Sequence, residues 1–210
     1  MDLKKYFGVN KAIQILLHFL FIANASASLW APIIGVFIVQ SIAGGTLATA
    51  GFAIAIYSVA KSIVQIPLAR VIDRQKGEKD DFYVMMAGAV LGTVFIFGLL
   101  FVEQSWQLYL LEVISGAADA CLMAAYYGIF SRHVDKGSEG YEWSLYSVWG
   151  LTISTAVGGA IGGVMADAYG FANTFVVSGI VYAVGTALLF FLYPYLDGVR
   201  KKRLPPFSVQ

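Results

Sequence analysis

Two charged residues, Lys61 and Asp119, lie in the middle of long apolar segments of the sequence. If these segments are helices, each residue lies about 20 Å along the helix from the start of its segment. A charged group that faces lipid at this depth costs about 2.5–3.5 kcal/mol, so we expect both side chains to face protein or water. An ammonium and a carboxylate group in such a place can bind a polar substrate, carry a proton, or pair with each other.

Further polar residues share the helix faces of this pair. Those on the Asp119 face recur at every seventh position and are Glu112, Asp119 and Tyr126. Those on the Lys61 face recur at every fourth position and are Tyr57, Lys61 and Gln65. Both spacings return to the same side of an α-helix. The two stripes therefore predict the walls of a polar cavity.

Two roles remain open for the pair. In one, Lys61 and Asp119 form a buried ion pair that only fixes the register of two helices. In the other, they bind substrate or carry a coupled proton, and Asp119 is the principal titrating residue because it is the most central carboxylate. His18 and Asn24 are further candidates for this pathway. His18 is equally suited to packing near the end of its segment, and Asn24 could be satisfied by a neighbouring backbone.

The composition places the chain in a membrane. Of its 210 residues, 59% are hydrophobic and 13% are charged, and the mean hydropathy is +0.73. A soluble domain carries about 25% charged residues. The net charge of +1 gives no reason to expect a nucleic-acid partner, and a single cysteine, Cys121, allows no internal disulfide.

Six apolar segments, each of about 20 residues or more, are long enough to cross about 30 Å of hydrocarbon. We expect all six to be helices, because backbone groups in lipid must be hydrogen-bonded and the alternating pattern of barrel strands is absent. The predicted spans 1 to 6 are residues 12–40, 47–69, 82–102, 106–131, 143–165 and 171–193. The predicted fold is an all-α bundle of six transmembrane helices in one domain, residues 1–210.

The basic residues predict the orientation of the spans. Every Lys and Arg except Lys61 lies before span 1, between spans 2 and 3, between spans 4 and 5, or after span 6. By the positive-inside rule this side is the cytoplasm, so both termini are predicted there, in a protein of the cell membrane. A cleaved secretory signal is the alternative for span 1, because residues 23–27 imitate a cleavage site. Apolar sequence resumes at Leu29, which favours an uncleaved span.

The connection between spans 2 and 3 contains Asp73 and Arg74, followed by Gly77. It resembles the signature loop of the major facilitator superfamily, Gly-x-x-x-Asp-Arg-x-Gly-Arg. The loop differs from that pattern in having Ala69 for the first Gly, one additional residue before Gly77, and Glu78 at the final basic position.

Two further elements resemble the same family. Residues 158–163 of span 5 are similar to its Gly-Pro-x-x-Gly-Gly element, with Gly159 in place of Pro. In span 4, Glu112 and Gly116 follow its Arg-x-x-x-Gly spacing, with Glu112 where Arg is usual. The turn after span 2 is also echoed by residues 167–170 after span 5. This echo fits two inverted three-helix repeats, approximately residues 1–105 and 106–198, followed by a tail at 199–210.

The resemblance implies a secondary transporter that works by alternating access. Members of the family have twelve spans in two halves of the same orientation, so a six-span chain would act as a parallel homodimer around a central cavity. In each half the first and fourth helices line the cavity, and the third and sixth are peripheral. A half-size subunit with a different partner, and a non-transporting scaffold or fragment, are the alternatives.

The resemblance also predicts a cytoplasmic gate in the loop after span 2. Asp73 would meet the N-terminus of span 5 in the partner chain, where unpaired N–H groups favour a carboxylate. Arg70 or Arg74 would pair there with Glu142, or with Glu139 beside it. In the alternative interpretation, the loop is only a solvated, positively charged connection.

Small residues in span 5 predict a close helix contact. Ser154, Gly158 and Gly162 recur at every fourth position, which lets two helix backbones approach each other. By the resemblance, this stripe would pack against span 2 of a second chain. Close packing within one chain is the alternative.

The sequence contains no motif for enzymatic chemistry. His-Glu-x-x-His, Gly-x-Ser-x-Gly and the phosphate-binding Gly-x-x-x-x-Gly-Lys-Ser/Thr pattern are all absent, so neither an enzyme, a metal nor a cofactor is predicted. An ion or substrate gradient would supply the energy for transport. The substrate is predicted only as a small molecule, since the mixed charges and aromatic residues suit sugars, drugs and metabolites equally.

Overall fold

A computed structural model of the chain describes residues 8–74 and 77–196. The α-helices in these ranges are α1 Lys11–Trp30, α2 Ile34–Ser41, α3 Leu47–Arg74, α4 Glu78–Gly98, α5 Ser105–His133, α6 Glu139–Leu145 and α7 Ser154–Leu188. A π-helical segment, Tyr146–Ile153, joins α6 to α7, and 3₁₀ turns extend α4 over Leu99–Phe101 and α7 over Leu189–Tyr195. The all-helical fold expected from the sequence is confirmed for these residues.

Five segments of the described chain are long and apolar enough to cross a membrane. They are Lys11–Ser41, Leu47–Arg74, Glu78–Phe101, Ser105–His133 and Glu139–Tyr195. The last contains 57 residues, and Gly170 interrupts it with a φ of 80° and a ψ of 172°, a backbone conformation that favours glycine. The chain therefore has the helices of a multi-pass membrane protein. The count of six spans and the cytoplasmic position of the termini stay predictions.

Small residues determine how closely the helices pack. α1 lies along α7, and α3 and α4 lie along α5. A Cβ atom at Gly158 would collide with the carbonyl oxygen of Ala25, and one at Gly162 would collide with that of Leu29. Ser154 is also fully buried and donates a hydrogen bond to the Gly150 carbonyl at 2.6 Å. The stripe of span 5 thus packs against α1 of the same chain, which is the second of the two arrangements considered from the sequence.

A similar close contact, at Gly116, joins α3 to α5. A Cβ atom at Gly116 would lie 2.5 Å from the Tyr57 carbonyl oxygen and 2.9 Å from the Lys61 backbone nitrogen. Since any side chain at this position would push the helices apart, Gly116 sets the short distance between α3 and α5. That distance brings the side chains of Lys61 and Asp119 within reach of each other.

Candidate functional site

A cavity of about 690 Å³ lies inside the bundle. α1 and α2 form one wall, α3 and α5 form another, and α4, the π-helical segment and the second part of α7 contribute the rest. Most lining side chains are apolar or aromatic. The polar ones are Asn24, Tyr57, Lys61, Glu112, Ser115, Asp119, Tyr127, Tyr146 and Tyr182. The ionisable candidates within the predicted spans are Lys61, Glu112, Asp119 and His18. The first three of these lie on the cavity wall formed by α3 and α5.

Lys61 and Asp119 form an ion pair in this cavity. The Nζ atom of Lys61 lies 2.6 Å from Oδ2 of Asp119, and the Tyr57 hydroxyl donates a hydrogen bond of 2.5 Å to the same oxygen. Tyr57 Oη also lies 3.4 Å from Lys61 Nζ, so the three groups form a compact triangle. The Lys61 side chain is 31% exposed and that of Asp119 is 26% exposed. The pair is therefore satisfied and still accessible from the cavity.

Glu112 lines the same cavity without such a partner. It precedes Asp119 by seven residues, which is two helical turns or about 10 Å along the axis of α5. Within residues 8–74 and 77–196, no cation or hydrogen-bond donor engages its carboxylate. The described cavity wall consequently carries one ammonium group and two carboxylates.

Asn24 connects α1 to the π-helical segment. Its Nδ2 atom donates to the Leu151 carbonyl at 3.1 Å, and lies 2.7 Å from Ser154 Oγ and 2.8 Å from Thr155 Oγ1. The amide thus finds its partners in a neighbouring helix, as the sequence interpretation allowed. A π-helix has a wider turn than an α-helix, and Asn24 supports the Leu151 carbonyl within it.

Tyr126 and His18 lie away from the cavity wall. Tyr126 is fully buried, donates a hydrogen bond of 3.3 Å to the Leu16 carbonyl and stacks on Phe130 at 5.7 Å. Tyr126 shares the heptad spacing of Glu112 and Asp119, but at its level α5 packs against α1, which contributes the Leu16 carbonyl. His18 is half-buried, with Nδ1 2.6 Å from the Gln14 carbonyl and its ring edge-on to Trp149.

Part of span 3 reaches the cavity. Gly88, Gly92, Phe95 and Ile96 of α4 line it. A Cβ atom at Gly92 would lie 2.9 Å from the Tyr182 hydroxyl, so the absence of a side chain admits this phenol. The prediction that the third and sixth helices are only peripheral is wrong for this stretch, because glycines in α4 leave room beside α5 and Tyr182.

Within residues 8–74 and 77–196, the residues of the predicted gate do not pair with one another. Arg70, Asp73 and Arg74 are exposed on the last turns of α3, and none has an ion pair with another described residue. Glu142 is instead fully buried, and its carboxylate accepts from the Asp135 backbone N–H at 3.3 Å and 3.4 Å. Glu139 is the exposed carboxylate on that helix.

A charge network that the sequence analysis did not identify joins α4 to the end of α5. Arg132 forms ion pairs with the fully buried Asp81 and, through Nε at 3.3 Å, with Glu78. Nε2 of His133 lies 3.3 Å from Glu78, and the Asn10 amide donates to the His133 carbonyl at 2.7 Å. This network fastens the starts of α1 and α4 to the end of α5. Within the described ranges no group of His, Cys, Asp and Glu is arranged to hold a metal ion.

The comparisons with known proteins agree with this architecture. The sequence profile of the Major Facilitator Superfamily matches residues 16–209, nearly the whole chain. A comparison with curated proteins found no match. The match begins within α1 and includes every later helix described above, the residues that line the cavity and the Lys61–Asp119 pair. The chain is therefore a multi-pass membrane protein of the Major Facilitator Superfamily, a family of membrane transporters.

Proposed function

We propose that the protein is a secondary active transporter of a small solute, in which two parallel copies enclose a central cavity. One observation carries the proposal: an ion pair between Lys61 and Asp119, on two different helices, faces a cavity of about 690 Å³. An ion pair whose members are on separate helices can be broken and re-formed when the helices move. It can thereby couple a change of charge to a change of conformation.

Six spans are consistent with the length of the last apolar segment. A helix of 57 residues would be about 85 Å long, far more than the 30 Å of hydrocarbon in a bilayer. We place a turn at Gly170, where the backbone leaves the helical conformation. The helix contacts support two repeats: span 1 packs on span 5 through Gly158, as span 4 packs on span 2 through Gly116. With six spans, the positive-inside rule puts both termini in the cytoplasm of a cell-membrane protein.

A second copy would cover the exposed face of α3 and the partly exposed ion pair. The side chains of Lys61 and Asp119 remain about one-third and one-quarter exposed, and charged groups do not face lipid without a large cost. α3 is also the least buried of the candidate spans, with exposed apolar side chains such as Val59, Ile63 and Ile66. A parallel homodimer would surround the ion pair with protein and water and leave only apolar surface to the lipid.

In this proposal, Asp119 couples transport to a proton gradient. Lys61 and Tyr57 both contact the same oxygen of this carboxylate. If substrate or a conformational change withdraws Lys61, the carboxylate becomes a proton acceptor within a low-dielectric cavity. One proton could then cross the membrane with, or against, each solute molecule.

The test has two parts. A thermal-stabilisation screen of solutes on the purified protein identifies a ligand, and the labelled ligand is then offered to proteoliposomes with and without a proton gradient. We expect accumulation that a protonophore abolishes, and a dimer in native mass spectrometry. Uptake equal to that of protein-free vesicles would refute transport. Transport by a strictly monomeric protein, or only after addition of a different chain, would refute the homodimer.

A further inference from the structure

The cavity has an unbalanced charge. Among the described residues that line it, the cation is Lys61 and the carboxylates are Glu112 and Asp119. Because Lys61 and Asp119 neutralise each other at 2.6 Å, the remaining charge belongs to Glu112. An anionic ligand would have to displace Asp119 from Lys61 and would be repelled by Glu112. A cation meets an uncompensated carboxylate without disturbing the existing ion pair.

Aromatic side chains line the same cavity as this carboxylate. The rings that line the cavity are Trp30, Tyr57, Phe95, Tyr127, Tyr146 and Tyr182. Several of the hydroxyls are already in use: Tyr57 donates to Asp119, and Tyr127 and Tyr146 share a hydrogen bond of 3.0 Å. The rings of these tyrosines add aromatic area to the cavity wall. The faces of aromatic rings attract cations, and their area favours an apolar or aromatic body.

The size and lining of the cavity further restrict the class of ligand that can bind. A volume of about 690 Å³ is in the range of pockets that hold drug-sized molecules. The remaining wall is mostly aliphatic, with residues such as Leu20, Ala23, Ile38 and Leu122. A heavily hydroxylated solute would lose its hydrogen bonds to water there and find few replacements, which costs free energy. A hydrated inorganic cation would meet the same difficulty.

We propose that this cavity binds a monovalent organic cation with an apolar or aromatic body, with its charged centre beside Glu112. The body lies against the cavity rings, and the Lys61–Asp119 pair stays intact when the cation first binds. This inference rests on the proposed function for its role, because it names the class of solute that the transporter would carry. The binding itself requires neither a gradient nor transport.

Two probes of equal size and opposite charge test this site. Tetraphenylphosphonium is the cation and tetraphenylborate is the anion. Binding of each to the full-length protein in neutral detergent is measured by equilibrium dialysis, and the partition into protein-free micelles is subtracted. The variants are Glu112→Gln, which removes the charge, and Glu112→Asp, which retains it. Glu103→Gln is the matched control, because Glu103 is an exposed carboxylate outside the cavity.

We expect Glu112→Gln to weaken tetraphenylphosphonium binding about tenfold or more, in line with the loss of one charge-assisted contact. Glu112→Asp should restore part of this affinity, and Glu103→Gln should bind like the parent. Gel filtration and circular dichroism confirm that each variant is folded. Equal affinity of the parent and Glu112→Gln for tetraphenylphosphonium, or tighter binding of tetraphenylborate, would overturn the proposal.

The outcomes separate this inference from the proposed function. If tetraphenylphosphonium binds through Glu112 but no gradient drives its accumulation, the cation site stands and transport of this class of solute fails. If vesicles accumulate a different solute and tetraphenylphosphonium does not bind, the transporter stands and the cation site fails.

Discussion

The Nζ atom of Lys61 lies 2.6 Å from Oδ2 of Asp119, across the contact between α3 and α5. The two helices come this close because Gly116 has no side chain to hold them apart. Any movement that separates α3 from α5 by a few ångströms therefore exposes an unpaired carboxylate and an unpaired ammonium group at the same moment. In the proposed function, the cost of separating these charges would link protonation to helix movement.

Asp119→Asn should abolish gradient-driven accumulation and leave exchange or binding partly intact. An amide still accepts a hydrogen bond from Tyr57, but it cannot take up and release a proton. Solute uptake and counterflow in proteoliposomes, with and without a proton gradient, measure the two activities separately. Asp167→Asn is the control, since Asp167 is an exposed carboxylate away from the cavity. Undiminished accumulation by Asp119→Asn would remove this residue from the coupling mechanism.

Gly158→Ala should lower the free energy of unfolding by about 1–3 kcal/mol, because its methyl group would collide with the Ala25 carbonyl oxygen. Gly163 in the same helix provides a matched control, since nothing lies within 4 Å of a Cβ atom built there. Gly163→Ala should be neutral or stabilising by up to about 1 kcal/mol. Unfolding in mixed micelles, followed by tryptophan fluorescence, measures both. The packing of α1 on α7 would be in doubt if the two variants were equally stable.

Arg132→Met should destabilise the protein by about 3 kcal/mol, because it leaves the fully buried Asp81 without its cation. Arg70→Met, at an exposed arginine without an ion pair in the described chain, should change stability by less than about 0.5 kcal/mol. Adding Asp81→Asn to Arg132→Met should recover part of the loss. The same unfolding assay applies. A double variant no more stable than Arg132→Met alone would show that the buried charge is not the cause.

Asp73→Ala should shift the resting population toward the state that is open to the cytoplasm. The reason is that Asp73, exposed at the end of α3, is free to meet the N-terminus of span 5 in a second copy. The readout is the labelling rate of Ser131→Cys and Ser144→Cys in a Cys121→Ala background, which removes the native cysteine. Asp80→Ala, on the next helix, is the control. If Asp73→Ala and its parent label at the same rate, Asp73 does not hold this gate closed.

The Lys61–Asp119 pair could be anticipated because charged residues are scarce inside apolar spans. Two such residues at a similar depth have few partners other than each other, so the pairing can be predicted from the sequence. Arg132 is different. It lies among other charged residues outside the predicted spans, and its partners Asp81 and Glu78 are about fifty residues earlier in the sequence. Nothing in the local pattern distinguishes this network from solvated charges that only set the topology.

Periodicity alone does not show where a helix contacts its neighbours or where its turns depart from the α-helical form. The heptad rule correctly placed Glu112 and Asp119 on one wall, but one heptad further on Tyr126 is buried against α1 and bonded to the Leu16 carbonyl. The π-helical segment Tyr146–Ile153 has no distinctive composition, since its stability comes from contacts such as that between Asn24 and Leu151. Tertiary contacts, rather than the residues of the segment itself, decide such local departures.

Because of its π-helical segment, we expect span 5 to tolerate the deletion of one residue. A π turn accommodates one residue more than an α turn, so this span contains a surplus residue in its first half. Deletion of the exposed Val148 would convert the turn into a regular α-helix instead of breaking the span. Ser154 and the residues after it would keep their contact with α1, while Tyr146 would rotate by about 100° and lose the Tyr127 hydroxyl. The surplus residue thus sets the rotation of Tyr146, which lines the cavity, relative to the part of span 5 that packs against α1.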